Sequence, residues 1–309
     1  MPEMMNAIRT TAEGGLEYAQ VERPTPGGTE VLVKVAAAGV NPADWKSIEP
    51  PPGGEAPIVI PGWDLAGTVV ELGPGVTRFA VGDRVFGMPR FPAPAGAYAE
   101  YATSRSRELA KIPDGVSDVV AGAVPLAGLT AWQAVVDTLN VVEGERVLVH
   151  AAAGGVGHLA VQIAKARGAE VWGTASARNH DQLRELGVDH LIDYRSERFE
   201  DVATGIDAVV DLVGDGETAR RSIASMRRGG RLVAISPLLP DADVLEEAGV
   251  RAQFVLVEPD ESGLEQLAAM LADGSLQVVI GGERPLAEMS ELHELGRRGG
   301  QFGKLVATV

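Results

Sequence analysis

The chain has 309 residues, 45% of them hydrophobic and 23% charged, the balance of a globular protein with room for two domains of about 100–200 residues each. With 27 Lys and Arg against 43 Asp and Glu its net charge is −16, which repels phosphate backbones and anionic lipid and so excludes nucleic acid and membranes as expected partners. It contains no cysteine, which removes disulfides, thiolate nucleophiles and sulfur-ligated zinc.

The first third reads as strands and turns. Ala7–Thr10, Glu17–Glu22 and Val31–Ala38 are β-rich runs separated by Gly14-Gly15 and by Pro24 through Gly28, and this punctuation predicts strands. Gly67–Leu72 and Asp83–Met88 repeat the pattern around the Gly73-Pro74-Gly75 turn. Glu49–Pro57 and Pro89–Gly96, rich in proline and glycine, are expected to be loops. A compact β-barrel is the expectation.

From about Pro125 strands alternate with helices. Arg146–His150 is a short apolar strand, and Gly155–Arg167 follows with Val156, Leu159, Ala160 and Ile163 on one helical face. A strand at Glu170–Thr174, a helix near Asn179–Leu186 and strands at His190–Ile192, Ala208–Leu212, Arg231–Ile235 and Gln253–Val257 come next. Such alternation predicts a parallel, doubly wound sheet. Beyond Pro259, a helix at Leu264–Ala272, a helix around Met289–Leu295 and a strand at Lys304–Val309 return the chain to the barrel. No run approaches the roughly 18 apolar residues of a membrane span, and Met1–Thr10 lacks the basic-then-apolar order of a secretory signal, so a cytoplasmic protein is expected. The five histidines (His150, His158, His180, His190, His293) show no metal-ligand spacing, and no metal site is expected.

The strongest chemical signal is Val147 to Gly157, V-L-V-H-A-A-A-G-G-V-G, between a predicted strand and a predicted helix. A dinucleotide pyrophosphate needs side-chain-free residues at the turn and a helix N-terminus whose N–H groups face it. Gly154, Gly155 and Gly157 provide these, although Ala152 stands where G-x-G-x-x-G would have its first glycine. About twenty residues on, Trp172-Gly173-Thr174-Ala175-Ser176-Ala177-Arg178 contains no acid to hold the ribose diol of NAD. Ser176 and Arg178 instead suit a 2′-phosphate, so NADPH is favoured over NADH. The alternative is that Ser176 caps the next helix and Arg178 is solvated.

Several ordered motifs then coincide: Ala38-Gly39-Val40-Asn41-Pro42-Ala43-Asp44, Pro61-Gly62-Trp63-Asp64-Leu65-Ala66-Gly67 running into Gly82-Asp83-Arg84-Val85, Gly96-Ala97-Tyr98-Ala99-Glu100-Tyr101, Leu126-Ala127-Gly128-Leu129-Thr130-Ala131-Trp132, the glycine turn, and Gly303-Lys304-Leu305-Val306. On these the chain resembles, over nearly its whole length, the zinc-independent quinone oxidoreductase (zeta-crystallin-like) branch of the medium-chain dehydrogenase/reductase superfamily. The resemblance implies an α/β fold: a GroES-like β-barrel catalytic domain from residues 1–124 and 260–309, and a Rossmann-type doubly wound parallel sheet at 125–259. Zinc-dependent relatives would place a cysteine near Asn41 and Gly-His-Glu where this chain has Gly62-Trp63-Asp64.

Carried over by position, Asn41 and Thr130 would border the nicotinamide, and Gly154, Gly155, Val156 and Gly157 would hold the pyrophosphate. Gly173, Ser176, Arg178 and Tyr194 would surround the adenosine phosphate, with Ser236, Phe254, Val255 and Leu256 along the rest of the groove. Core roles are the alternative for Tyr194 and Phe254, and a turn-starting role for Asn41-Pro42. The family often has a tyrosine where this chain has Trp45-Lys46; Trp45, Trp63 and Phe91 of the Pro-rich loop are the candidate walls of an apolar slot for a flat acceptor, with ordinary packing as the alternative. Hydride transfer from NADPH to a quinone or α,β-unsaturated carbonyl is the expected chemistry, with Asn41, Asp44 and Lys46 as catalytic candidates, the latter two as proton donors. The rivals are an enoyl or alkenal reductase of a biosynthetic pathway and a non-catalytic NADPH-binding redox sensor or structural protein. A homodimer paired along Gln253–Val257 is expected, because that last apolar strand would otherwise leave an open sheet edge.

Overall fold

The computed structural model describes residues 2–51 and 54–309; Met1, and Pro52 and Gly53 of the expected Glu49–Pro57 loop, lie outside the described residues. In chain order the elements are β1 (Met4–Thr10), β2 (Leu16–Glu22), β3 (Glu30–Val40), α1 (Pro42–Ser47), β4 (Leu65–Leu72), β5 (Arg84–Gly87), β6 (Tyr101–Arg105), β7 (Leu109–Lys111), α2 (Asp118–Ala123) and α3 (Pro125–Trp132). Then follow β8 (Arg146–Val149), α4 (Gly157–Ala166), β9 (Glu170–Ala175), α5 (His180–Glu185), β10 (His190–Asp193), α6 (Phe199–Val202), β11 (Ile206–Asp211), α7 (Glu217–Ser222), β12 (Met226–Ala234), α8 (Ala242–Ala248), β13 (Arg251–Phe254), α9 (Glu261–Ala272), β14 (Ile280–Pro285), α10 (Met289–Arg298) and β15 (Lys304–Thr308). Among the described residues no helix is long and apolar enough to cross a membrane.

The chain divides into two units. One takes residues up to Leu129 together with Glu258–Gly274 and Ile280–Val309; the other takes Thr130–Val257 and Ser275–Val279. The first division thus falls inside α3 rather than at 124/125, and the short segment 275–279 belongs with the second unit.

In the first unit β3 is the hub, pairing antiparallel with β15, β4 and β6 in a sheet whose order is β14-β15-β3-β4-β5-β7. Its residues Val31, Val33 and Val35 are buried with Leu65, Val69, Val85 and Leu109, and Leu32 between them is fully buried as well. β1 and β2 form a separate antiparallel pair, tied in by a bridge from Ala7 to Ala99.

The second unit is a six-stranded, wholly parallel sheet of order β10-β9-β8-β11-β12-β13. Val147, Leu148 and Val149 of β8 and Ala208, Val209 and Val210 of β11 are completely buried, as strands covered on both faces must be. The strand order reverses at β8, so right-handed crossovers put helices on both sides and leave a switch point between β8 and β11. The strand expected at Gln253–Val257 is instead Arg251–Phe254, because pairing with β12 runs from Arg231↔Arg251 to Ala234↔Phe254. β13 ends the strand order, so it is an edge of this sheet.

Candidate active site

In the second unit the segment between β8 and α4 is tied to both neighbouring strands. His150 N–H donates to Val210 O (2.9 Å), and Ala152 N–H to Thr174 O (3.0 Å). Ala151 accepts a positive φ of 51° to make the turn. Glycine is dictated at 157: a Cβ there would lie 2.3 Å from Ala151 O and 2.8 Å from Ala152 Cα. Ala152, the departure from the glycine pattern, fits because the facing residue in β9 is glycine; a Cβ on Gly173 would come within 3.2 Å of the Ala152 methyl. The turn therefore keeps its helix N-terminus close to the strand, the cradle a pyrophosphate requires.

Two buried histidines brace this turn. The Ser222 hydroxyl donates to Thr218 O (2.7 Å), so it accepts from His150 Nε2–H (2.9 Å), and His150 Nδ1 accepts from Thr174 Oγ1 (3.1 Å). Burial, helped by the Arg221 charge, lowers the His150 pKa to about 4; it is a neutral spacer. His158 Nδ1 bonds Gly154 O (2.9 Å), and its Nε2 accepts the Val279 N–H (3.3 Å), which places the proton on Nδ1.

The remaining nucleotide candidates gather at the carboxyl ends of the parallel strands. Ser176 is buried just after β9, Arg178 is exposed in the following 3₁₀ turn Ala177–Asn179, and Tyr194 follows β10 with 57% of its surface exposed. Tyr194 is thus not a core residue. Ser236 follows β12 and accepts the Leu238 N–H (3.3 Å); half-buried Phe254 ends β13, and Val255 N–H donates to Ala234 O (2.9 Å) before the exposed Leu256. Thr130 is buried within α3. Asp211, which the sequence reading passed over, ends β11 at the switch point. It is completely buried, accepts the Val213 and Gly214 N–H groups, and keeps Oδ2 without a partner among the described residues; burial above all raises its pKa.

In the first unit five polar side chains meet in a buried cluster. Asn41 is the N-cap residue of α1. Its Nδ2 donates to Asp64 Oδ2 (2.9 Å), and its Oδ1 accepts from Lys304 Nζ, which also donates to Val40 O (3.1 Å). Lys304 Nζ stands 3.6 Å from Asp64 Oδ2, with the two side chains 3% and 0% exposed. Asp64 Oδ1 accepts the Leu126 N–H (2.6 Å) from the first turn of α3. Asp44 Oδ2 accepts the Asn41 N–H (2.6 Å) and the Tyr98 hydroxyl (2.7 Å), while its Oδ1 has no partner among the described residues. Burial, reinforced by the Asp64 charge, raises the Asp44 pKa to about 7 against the pull of its donors and Lys304. Burial also pushes Asp64 up and Lys304 down, each opposed by the other's charge.

The catalytic candidates Asn41 and Asp44 therefore share this cluster, whereas Lys46 lies exposed on α1 and outside it. Asp64, Tyr98 and Lys304 were given no role from sequence. The available signal was a charged residue in an apolar stretch, Asp64 before β4 and Lys304 opening β15. Of the slot residues, Trp63 and Phe91 stack edge to face with centroids 5.1 Å apart, and Trp63 Nε1 donates to Ala93 O (2.8 Å). Trp63 borders a cavity of about 210 Å³ with Ser47, Val59, Gly62, Ala95 and four prolines, none of them charged; Phe91, expected as a wall, is not in that lining and meets it only through its ring contact with Trp63. Trp45 is a correction: it is not in that lining. Its ring is buried against Tyr98, Leu292 and Leu305, edge to face with His293 at 5.7 Å, and a Cβ on Gly296 would touch it at 2.7 Å. Asp44 and Trp45 are the buried face of α1, so the indole is core. Among the described residues no three His, Cys, Asp or Glu side chains gather as a metal site requires.

Two family models match the chain: an alcohol dehydrogenase GroES-like domain over residues 27–114 and a zinc-binding dehydrogenase over residues 186–306. The chain is 32% identical over 327 residues to a chloroplast envelope quinone oxidoreductase homolog of Arabidopsis thaliana, covering 98% of both. Among solved structures, the quinone oxidoreductase of Coxiella burnetii superposes with a TM-score of 0.89 at 34% identity, over 99% of this chain and 100% of that one. A mycobacterial protein complexed with NADPH superposes with a TM-score of 0.84 at 32% identity, over 99% and 100%. The chain is also 38% identical over 260 residues, 80% of its length, to the polyketide synthase GfsB of Streptomyces halstedii, of which it spans only 4%.

Proposed function

We propose, from the premise that this chain belongs to the quinone oxidoreductase branch of the medium-chain dehydrogenase/reductase superfamily, that it binds NADPH and reduces a small quinone or an α,β-unsaturated carbonyl compound without zinc. The observation that carries this reading is the glycine turn at the carboxyl end of β8, facing a second strand that ends without an acid and is followed by Ser176 and Arg178.

In this reading the turn residues Gly154 to Gly157 offer backbone N–H groups to the pyrophosphate. Gly173, Ser176, Arg178 and Tyr194 receive the adenosine 2′-phosphate, and Thr130, Ser236, Phe254, Val255 and Leu256 the rest of the cofactor. When bound, NADPH supplies a hydride from nicotinamide C4. Asn41 borders the nicotinamide, and the charge-free slot bordered by Trp63 takes a flat apolar acceptor. Asp44 is favoured over Lys46 as the store of the second proton. Its pKa near 7 leaves it partly protonated at neutral pH, and Oδ2 already accepts two donors, so the proton resides on Oδ1. A specific observation favours a second reading, an enoyl reductase of a biosynthetic pathway: the 38% identity to a segment of a polyketide synthase.

The test is steady-state consumption of NADPH with a panel of quinones and enones, with and without EDTA. Turnover indifferent to EDTA is expected; NADPH binding without turnover on any acceptor would overturn the enzymatic reading. NADPH should bind at least about tenfold more tightly than NADH, or about 1.4 kcal/mol, within reach of one charge-assisted contact. Fluorescence titration checks this, and Arg178→Ala should bring the ratio toward one. A homodimer joined along the β13 edge is part of the proposal, because an open edge strand invites pairing; a monomeric mass by light scattering at micromolar concentration would contradict it. A cytoplasmic location goes with it, since a cysteine-free chain gains nothing from an oxidising compartment.

A further inference from the structure

We infer that Lys304 and Asp64 are positioning residues that lock the Asn41 carboxamide in one orientation, forming a buried ammonium–amide–carboxylate chain within the first unit. The inference rests on the reading that Asn41 borders the nicotinamide.

A carboxamide is nearly symmetric in shape, so only its hydrogen-bond partners decide which end is oxygen. Here Oδ1 faces the Lys304 ammonium and Nδ2 donates to Asp64 Oδ2 at 2.9 Å. A half-turn of the amide would set an NH₂ against an ammonium and an oxygen against a carboxylate, exchanging two charge-assisted bonds for two repulsions. The partners are themselves fixed. Lys304 opens β15, whose next residue pairs with Val40, and its ammonium is also tied to Val40 O at 3.1 Å. Asp64 is anchored on its other oxygen by the Leu126 N–H at 2.6 Å. All three side chains are at most 3% exposed.

Stability alone does not account for the arrangement, since a buried ion pair is often no better than apolar residues of the same volume. Orientation does. A cation on the amide oxygen and an anion on one N–H polarise the amide in the same sense, and aligned hydrogen bonds of this kind strengthen one another. An amide held still presents its second Nδ2–H in one direction.

The experiment compares the parent with Asp64→Asn/Lys304→Met, which removes both charges of the pair together. The readouts are thermal unfolding, NADPH affinity by fluorescence titration, kcat and KM with a quinone, and the primary deuterium isotope effect with NADPH deuterated at C4. The expected result is a folded variant that binds NADPH within about threefold of the parent. Its kcat falls about 10- to 100-fold, the range seen when residues that orient a reacting group are removed, and its isotope effect rises, which a merely structural role would not produce. A folded double variant with the parent's kcat and isotope effect overturns the inference. If the double variant does not fold, Asp64→Asn, which keeps an acceptor for Leu126, should lower kcat about tenfold, and parent kinetics from it overturn the inference equally. Asn41→Ala separates this from the underlying reading: parent kinetics there would sink the assignment of Asn41 itself.

Discussion

Gly157→Ala is expected to lower the affinity for NADPH at least about tenfold, or about 1.4 kcal/mol, and to cost about 1–3 kcal/mol of folding stability. The added methyl would stand 2.3 Å from the Ala151 carbonyl oxygen and 2.8 Å from Ala152 Cα, both backbone atoms. Neither can rotate away, so relief requires moving α4 off β8 or opening the turn. Either motion displaces the first-turn N–H groups proposed to meet the pyrophosphate. Gly154→Ala is the control, because its methyl would meet only Ala151 O at 3.2 Å, a contact relieved by a few tenths of an ångström. It should cost less than about 1 kcal/mol. Thermal unfolding and cofactor titration of both variants check the contrast. Parent affinity in Gly157→Ala would show that this turn does not carry the anion.

His293→Phe is expected to flatten the acid limb of the stability curve. His293 is 1% exposed, lies edge to face with Trp45 and Tyr98, and neither ring nitrogen has a hydrogen-bond partner among the described residues. Burial, with the Arg297 charge adding to it, lowers its pKa from 6.5 to about 4. Between those values the unfolded chain holds a proton that the folded one does not, so His293 favours folding above pH 6.5. That contribution is lost as pH falls toward about 4. The slope is about 1.4 kcal/mol per pH unit, about 3 kcal/mol across the window. Phenylalanine removes this slope and the two orphaned nitrogens, whose burial costs about 1–3 kcal/mol, so stability at pH 7 should hold or rise. Asp44 acts with the opposite sign. With a pKa raised from 3.8 to about 7, its folded form holds the extra proton, and its contribution fades as pH rises through that window. Asp44→Asn should therefore steepen the acid limb that His293→Phe flattens. Denaturant unfolding at half-unit pH steps measures both; unchanged slopes in both variants would contradict the assignment.

Local patterns carried much of the fold. The apolar face of Val156, Leu159, Ala160 and Ile163 predicted α4, and the alternation of short apolar strands with helices predicted a parallel sheet, because each depends on residues within a few turns of one another. The glycine turn was equally legible, since its geometry needs missing side chains at adjacent positions. β14 was not. Its sequence Ile280-Gly281-Gly282-Glu283-Arg284-Pro285 carries three strand breakers, and it is extended only because β15 pairs with it in parallel. The six residues of α1 were hidden behind an Asn-Pro turn signal. The burial of Trp45 against α10, which overturned the reading of Trp45 as a slot wall, depends on a helix nearly 250 residues away.

The buried cluster marks the boundary most sharply. By itself the sequence determined which residue types were available: an asparagine before a proline, two aspartates, a tyrosine, and a lysine opening an apolar run. Tertiary structure alone decided that Lys304 meets Asn41 across 263 positions and that Asp64 reaches it across 23. Burial strips these groups of water, so each charge must find its partner within the protein, and those partners are set by the register of β3 on β15 and β4, which no local pattern encodes.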